Sequence, residues 1–66
     1  MGQGLRTMVA RLRKQQHLTL LQLARRVGVT EAYMSMLESG ARKNPSLATL
    51  KKLAKALKVS VSEILK

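Results

Sequence analysis

Apolar residues recur at helical spacing in successive stretches of this chain. Leu5, Met8, Val9 and Leu12 fall at i, i+3, i+4 and i+7, and Leu20, Leu23, Ala24 and Val27 repeat those offsets. Met34 and Leu37 face inward on a third stretch. Leu47, Leu50, Leu53, Ala54 and Leu57 form the longest stripe, with Lys51, Lys52, Lys55 and Lys58 together on its other side. A short apolar stretch around Val61, Ile64 and Leu65 closes the series. The pattern predicts an all-α chain of five helices at roughly 5–16, 20–27, 31–39, 47–57 and 61–65, with no strand.

The punctuation between the stripes agrees with them. Thr19 and Gln22 form a T-x-x-Q capping box, with Leu18 and Leu23 placed as a hydrophobic staple. Gly28 stops the second helix, because a residue without a Cβ enters the left-handed conformation most cheaply. Thr30 then caps the third helix, with Val29 and Met34 as its staple pair. Gly40 ends that helix, and Pro45 prevents the basic loop ARKNP from continuing it. Ser46 caps the fourth helix; Ser60 and Glu63 suggest a second capping box, stapled by Val59 and Ile64. A one-residue Val29 link between Gly28 and the Thr30 cap leaves little freedom in the angle between helices 2 and 3. That is the signature of a helix-turn-helix.

Composition narrows the function classes. The chain of 66 residues predicts one domain over 1–66, with 1–4 frayed at its Gly-containing start. It has no Cys, so disulfides and thiolate metal sites are excluded. No apolar run approaches the ~18 residues of a membrane span, and no signal-peptide core is present. Arg6 stands where a myristoylation motif needs Ser or Thr. A cytoplasmic location follows as the expectation. Thirteen Lys and Arg against three Asp and Glu give a formal charge of +10. That imbalance, with a sequence pI of about 11.4, is the electrostatic footprint of a nucleic-acid binder. A basic membrane-surface helix would need one continuous amphipathic segment, and the turn signals interrupt every candidate.

The segments LAxxxGV at Leu23–Val29, S-x-L-E-x-G at Ser35–Gly40 and NPSxxTLxKLAxAL at Asn44–Leu57 resemble, in register, the Cro/cI-type (lambda-repressor-like, XRE) DNA-binding domains. The resemblance runs from about Leu5 to Leu65. It implies a five-helix lambda-repressor-like fold in which helix 3 enters the major groove of double-stranded DNA. Carried over by position, Thr30, Glu31, Ala32, Ser35 and Met36 would face base edges. Arg13, Thr19, Tyr33, Arg42, Lys43 and Asn44 would contact phosphate. Arg13 and Glu38 would pair beneath the DNA-facing surface, the alternative being a solvated charge at each position. His17 stands where the family usually has Gly or Asn after helix 1, so it is expected as a left-handed cap rather than a catalytic base or ligand.

The readers depart from the commoner Gln. Glu31 accepts from cytosine N4 in one reading and serves only the helix dipole in the other. Met36 presses on a thymine methyl or packs against a neighbouring helix. Leu20 replaces a frequent phosphate-touching Gln, and with Leu21 beside it one of the two must be exposed. Helix 5 carries more apolar surface than so short a helix buries, so Val61 and Leu65 are the expected homodimer contacts. The resulting expectation is a homodimeric transcriptional regulator, most simply a repressor. The alternative is a DNA-binding antitoxin or adaptor that engages a partner protein. The inventory offers no metal ligand set, no cofactor motif and no catalytic constellation, so an enzyme is not expected. RNA binding fits the charge but lacks an aromatic stacking platform.

Overall fold

The computed structural model describes residues 4–41 and 45–65. Five helices follow in order: α1 (Gly4–Gln15), α2 (Leu20–Val27), α3 (Glu31–Ser39), α4 (Leu47–Leu57) and α5 (Val61–Ile64). The described residues contain no strand. The bounds of α2, α3 and α4 are those the apolar pattern predicts. Gly4, expected to be frayed, instead opens α1, and α5 stops at Ile64 rather than Leu65.

Each N-terminal signal forms a bond. The Thr19 hydroxyl accepts from the Gln22 N–H at 3.0 Å, and the Gln22 amide oxygen accepts from the Thr19 N–H at 2.8 Å. Thr30 accepts from the Tyr33 N–H, and Ser46 from that of Thr49. Ser60 accepts from the Glu63 N–H at 3.2 Å and its hydroxyl also pairs with Ser62, but no bond from the Ser60 N–H to the Glu63 carboxylate is found among the described residues, so only the forward half of the expected second box is made. Such caps contribute about 1 kcal/mol each.

The turns that precede α2, α3 and α5 share one geometry. His17 (φ 58°), Gly28 (φ 89°) and Lys58 (φ 60°) are left-handed, each two residues before an N-cap. The residue between them, Leu18, Val29 or Val59, donates its N–H five residues back, to Arg13, Ala24 or Ala54, at 2.9–3.0 Å. Each of these bonds satisfies a carbonyl left open at a helix end. His17 was expected to be left-handed; Lys58 was not.

All five helices feed one aliphatic core, with Val9, Leu23, Met34, Leu37, Leu53, Leu57 and Ile64 fully buried. Helix α3 packs on both α2 and α1, while α4 rests on α1, α2 and α5. The α4 stripe is right in direction and too long in extent. Burial grades from Leu53 and Leu57, both at 0% exposure, through half-buried Leu50 to Leu47 at 61%. Among the described residues, Leu47 at the N-terminal turn of α4 takes no part in the core packing.

Candidate nucleic-acid interface

Helix α3 has two unlike faces. Met34 and Leu37 are buried, while Glu31, Ala32, Ser35, Met36 and Ser39 are exposed. The exposed positions, at i, i+1, i+4, i+5 and i+8, make one outward strip, because residues three or four apart are neighbours on a helix. Thr30 is exposed at its start. The structure therefore brings together all five residues expected to meet base edges. Met36, at 39% exposure, belongs to the strip rather than to a helix contact. Tyr33 is half-buried and packs against the core from the side of α3.

Capping changes what the threonines have to offer. The Thr30 oxygen already accepts the Tyr33 N–H, so it has the hydroxyl proton and one lone pair left to offer. At the start of α2, the capping box engages the N–H groups of both Thr19 and Gln22. The Leu20 and Leu21 N–H groups remain without an acceptor among the described residues. They are the ones free for an anion, which the positive end of the helix dipole favours. Leu21 is the exposed member of the leucine pair, at 40%.

An ion pair ties one flank of the strip to the rest of the fold. The Arg13 Nε donates to one Glu38 carboxylate oxygen at 2.6 Å, and its Nη2 donates to the other at 3.0 Å. Its Nη1 donates to the Leu18 carbonyl at 2.8 Å. One guanidinium thus joins α1, α3 and the turn into α2. The pair is largely covered, with 14% of the Arg13 side chain and 12% of the Glu38 side chain exposed. The hydrogen bond to Glu38 is the main cause that holds the Arg13 pKa above the usual guanidinium range, against a smaller opposing effect of burial. Three of the five guanidinium N–H groups are committed. The two left over are what Arg13 has for any phosphate.

Two further anchors were not visible as such in the sequence. Arg6 donates from Nη1 to the Ser39 carbonyl at 3.1 Å, which closes the C-terminal end of α3. Gly40 is left-handed there (φ 87°), and a Cβ on it would collide with the Arg6 side chain. Gln16 donates to the Leu57 carbonyl at 2.7 Å and ties the end of α1 to the end of α4. Both are polar side chains serving open helix-end carbonyls, a role that spacing within one helix does not reveal.

Arg42, Lys43 and Asn44, the expected loop contacts, lie outside the described residues. Val61 is half-buried, and Leu65, four residues on at the C-cap of α5, is 54% exposed. Among the described residues no group of His, Asp or Glu is placed to hold a metal ion. No helix there is long and apolar enough to cross a membrane.

Comparison with known proteins gives a consistent result. The family profile described as helix-turn-helix matches residues 9–64. The chain is 50% identical over 48 residues to the HTH-type transcriptional repressor RghR of Bacillus subtilis (strain 168), a match covering 73% of this chain and 36% of RghR. It is 46% identical over 55 residues to the HTH-type transcriptional regulator y4dJ of Sinorhizobium fredii, covering 83% of this chain and 70% of y4dJ. The crystal structure of SinR, a master regulator for biofilm formation, in complex with DNA superposes with a TM-score of 0.89 at 32% identity. That match covers 94% of this chain and 98% of the SinR chain. The chain thus spans about a third of the length of RghR.

Proposed function

The chain belongs to the helix-turn-helix family of the Cro/cI type, and from that premise we propose that it is a sequence-specific double-stranded-DNA binder that regulates transcription. The observation that carries the reading is the outward strip of α3, held rigid by Arg13 and Glu38 on a chain of charge +10. In this docking mode the N-terminal half of the second motif helix meets base edges in the major groove. Glu31 accepts from cytosine N4, and Ala32 and Met36 supply apolar contact for a thymine methyl. Thr30 and Ser35 offer hydroxyls to either neighbour.

Phosphate contacts fix the register and carry no sequence information. The Leu20 and Leu21 N–H groups with Thr19 form one such contact, and Tyr33 and the remaining Arg13 N–H groups another. Arg42, Lys43 and Asn44 grip the backbone on the loop side. Two copies, joined through Leu65 and Val61, place two α3 helices one turn of DNA apart, about 10–10.5 base pairs. Occupying a promoter in this way blocks access to it, so repression in the cytoplasm is the simplest outcome. No step of this function is chemical, and none needs a cofactor.

A second reading, an adaptor or antitoxin that also engages a protein, is favoured by the exposed Leu21 beside the Thr19 cap. Selection of bound duplexes from a random pool at stated salt tests the main reading. A two-fold symmetric motif is the expected result. Recovery of unrelated sequences, with affinity set by salt alone, contradicts it.

A further inference from the structure

An open groove of about 500 Å³ lies between the last turn of α2 and the C-terminal half of α4. It is lined by Arg26, Val27, Lys52, Lys55, Ala56 and Lys58. Four of these six residues are exposed cations, and no acid lines the groove. The ion pair found among the described residues, Arg13 with Glu38, is elsewhere. No residue of α3 contributes to the groove, so it is separate from the outward strip.

Helix dipoles explain part of this cluster. Arg26 and Lys55 occupy the last turns of α2 and α4, and Lys58 follows α4 directly, where exposed carbonyls favour cations. Lys52 sits in the middle of α4, beyond the last turn in which that effect acts. Lys58 also holds a left-handed conformation that disfavours a side chain, at a position where the equivalent turn before α3 has Gly28.

We infer that this groove docks an acidic segment of a partner protein. Lys52 and Lys55 are about 4.5 Å of rise apart along α4, and Lys58 follows three residues on as its left-handed cap. Carboxylates three or four residues apart on one face of a helical segment can meet successive cations of this row. Arg26 meets such a segment from the α2 side, and half-buried Ala56 with the alkyl stems of the lysines gives it an apolar floor over the buried Val27. A second copy of this chain does not fit, since it brings three acids against thirteen bases and commits Glu38 to Arg13. A small polyanion is held poorly, because an open groove encloses little of its surface. A nucleic-acid backbone meets the cations and leaves the apolar floor unused. The inference is independent of which bases α3 reads.

The test uses the isotopically labelled chain and a capped helical peptide with Glu at i, i+3 and i+7 and Leu between. Amide shifts should saturate and cluster at Arg26, Val27, Lys52, Lys55, Ala56 and Lys58. They should persist when a short DNA duplex is already bound. The variant Lys52→Ala/Lys55→Ala should weaken the peptide about tenfold, whereas Arg11→Ala/Lys14→Ala, which removes equal charge elsewhere, should not. Lys58→Gly should raise the melting temperature and yet weaken the peptide. Equal weakening by the two double variants, shifts centred on α3, or tighter occupation of the groove by tripolyphosphate or by the duplex overturns the inference.

Discussion

Removing the Glu38 carboxylate should destabilise this chain more than its single ion pair suggests. Glu38→Ala deletes both bonds to Arg13, at 2.6 and 3.0 Å, and leaves a guanidinium of which 14% is exposed with only the Leu18 carbonyl. Exposed pairs are worth about 0–1 kcal/mol, and losing one partner of a buried pair costs about 3–5 kcal/mol. A covered but unsealed pair falls between these, at about 2–3 kcal/mol. A chain of this size has a total stability of only about 3–10 kcal/mol. The melting temperature should therefore fall by about 10–20 °C. Arg13→Met with Glu38→Leu should recover most of that loss, because no unpaired charge stays behind. The assay is thermal and urea unfolding of wild type, Arg13→Met, Glu38→Leu and their double variant, with Glu38→Ala beside this cycle, followed by circular dichroism at low and high salt. The raised Arg13 pKa stabilises the fold below the unfolded-state value and is lost only as pH rises through the still higher folded one. Both lie beyond the working range, so Arg13 itself adds no pH slope near neutrality. An additive cycle, or a Glu38→Ala loss under about 0.5 kcal/mol, refutes the view that this pair aims α3.

Three further outcomes follow from burial and backbone. Leu53→Ala should cost about 2–5 kcal/mol in urea unfolding, whereas Leu47→Ala, at the exposed end of the same stripe, should stay within about 0.5 kcal/mol. His17→Gly should stabilise by about 1 kcal/mol, read as a higher melting temperature, and an unchanged value would mean that neighbouring contacts already support the left-handed histidine. Leu65→Asp should keep full helicity while sedimentation shifts from dimer to monomer; a folded variant that sediments as wild type moves the interface away from α5.

The fold was legible because local signals repeat at every joint. Thr19, Thr30, Ser46 and Ser60 each announce a helix, and each forms its cap. The left-handed turn was legible at Gly28, where the residue type betrays it, and at His17, where the family resemblance marks the position. Lys58 carries the same turn with no such mark. Its only sequence trace is the order Leu57–Lys58–Val59–Ser60, which parallels Val27–Gly28–Val29–Thr30. Arg6 and Gln16 were not legible, because each serves a carbonyl on a distant helix, 33 and 41 residues away in sequence. Leu47 misled because periodicity reports which face is apolar and not how far the core extends. Of the site, the apolar pattern marks only the inward Met34 and Leu37, and the family resemblance marks the residues opposite them, whereas the prior engagement of Thr30, Thr19 and Arg13 by backbone groups and partners shows only in the folded chain.

Base reading by the exposed strip of α3 is most open to test at Glu31. Wild type and Glu31→Gln are to be compared on a panel of duplexes with each base pair of the selected site changed in turn. If Glu31 accepts from a cytosine N4, the exchange should alter preference at one position of each half-site, toward the adenine that Gln pairs bidentately. A good pair discriminates by about 1–3 kcal/mol, so the change there should reach about tenfold or more, with little elsewhere. Uniform tightening across the whole panel, as expected when one negative charge beside phosphate is simply removed, would contradict the account.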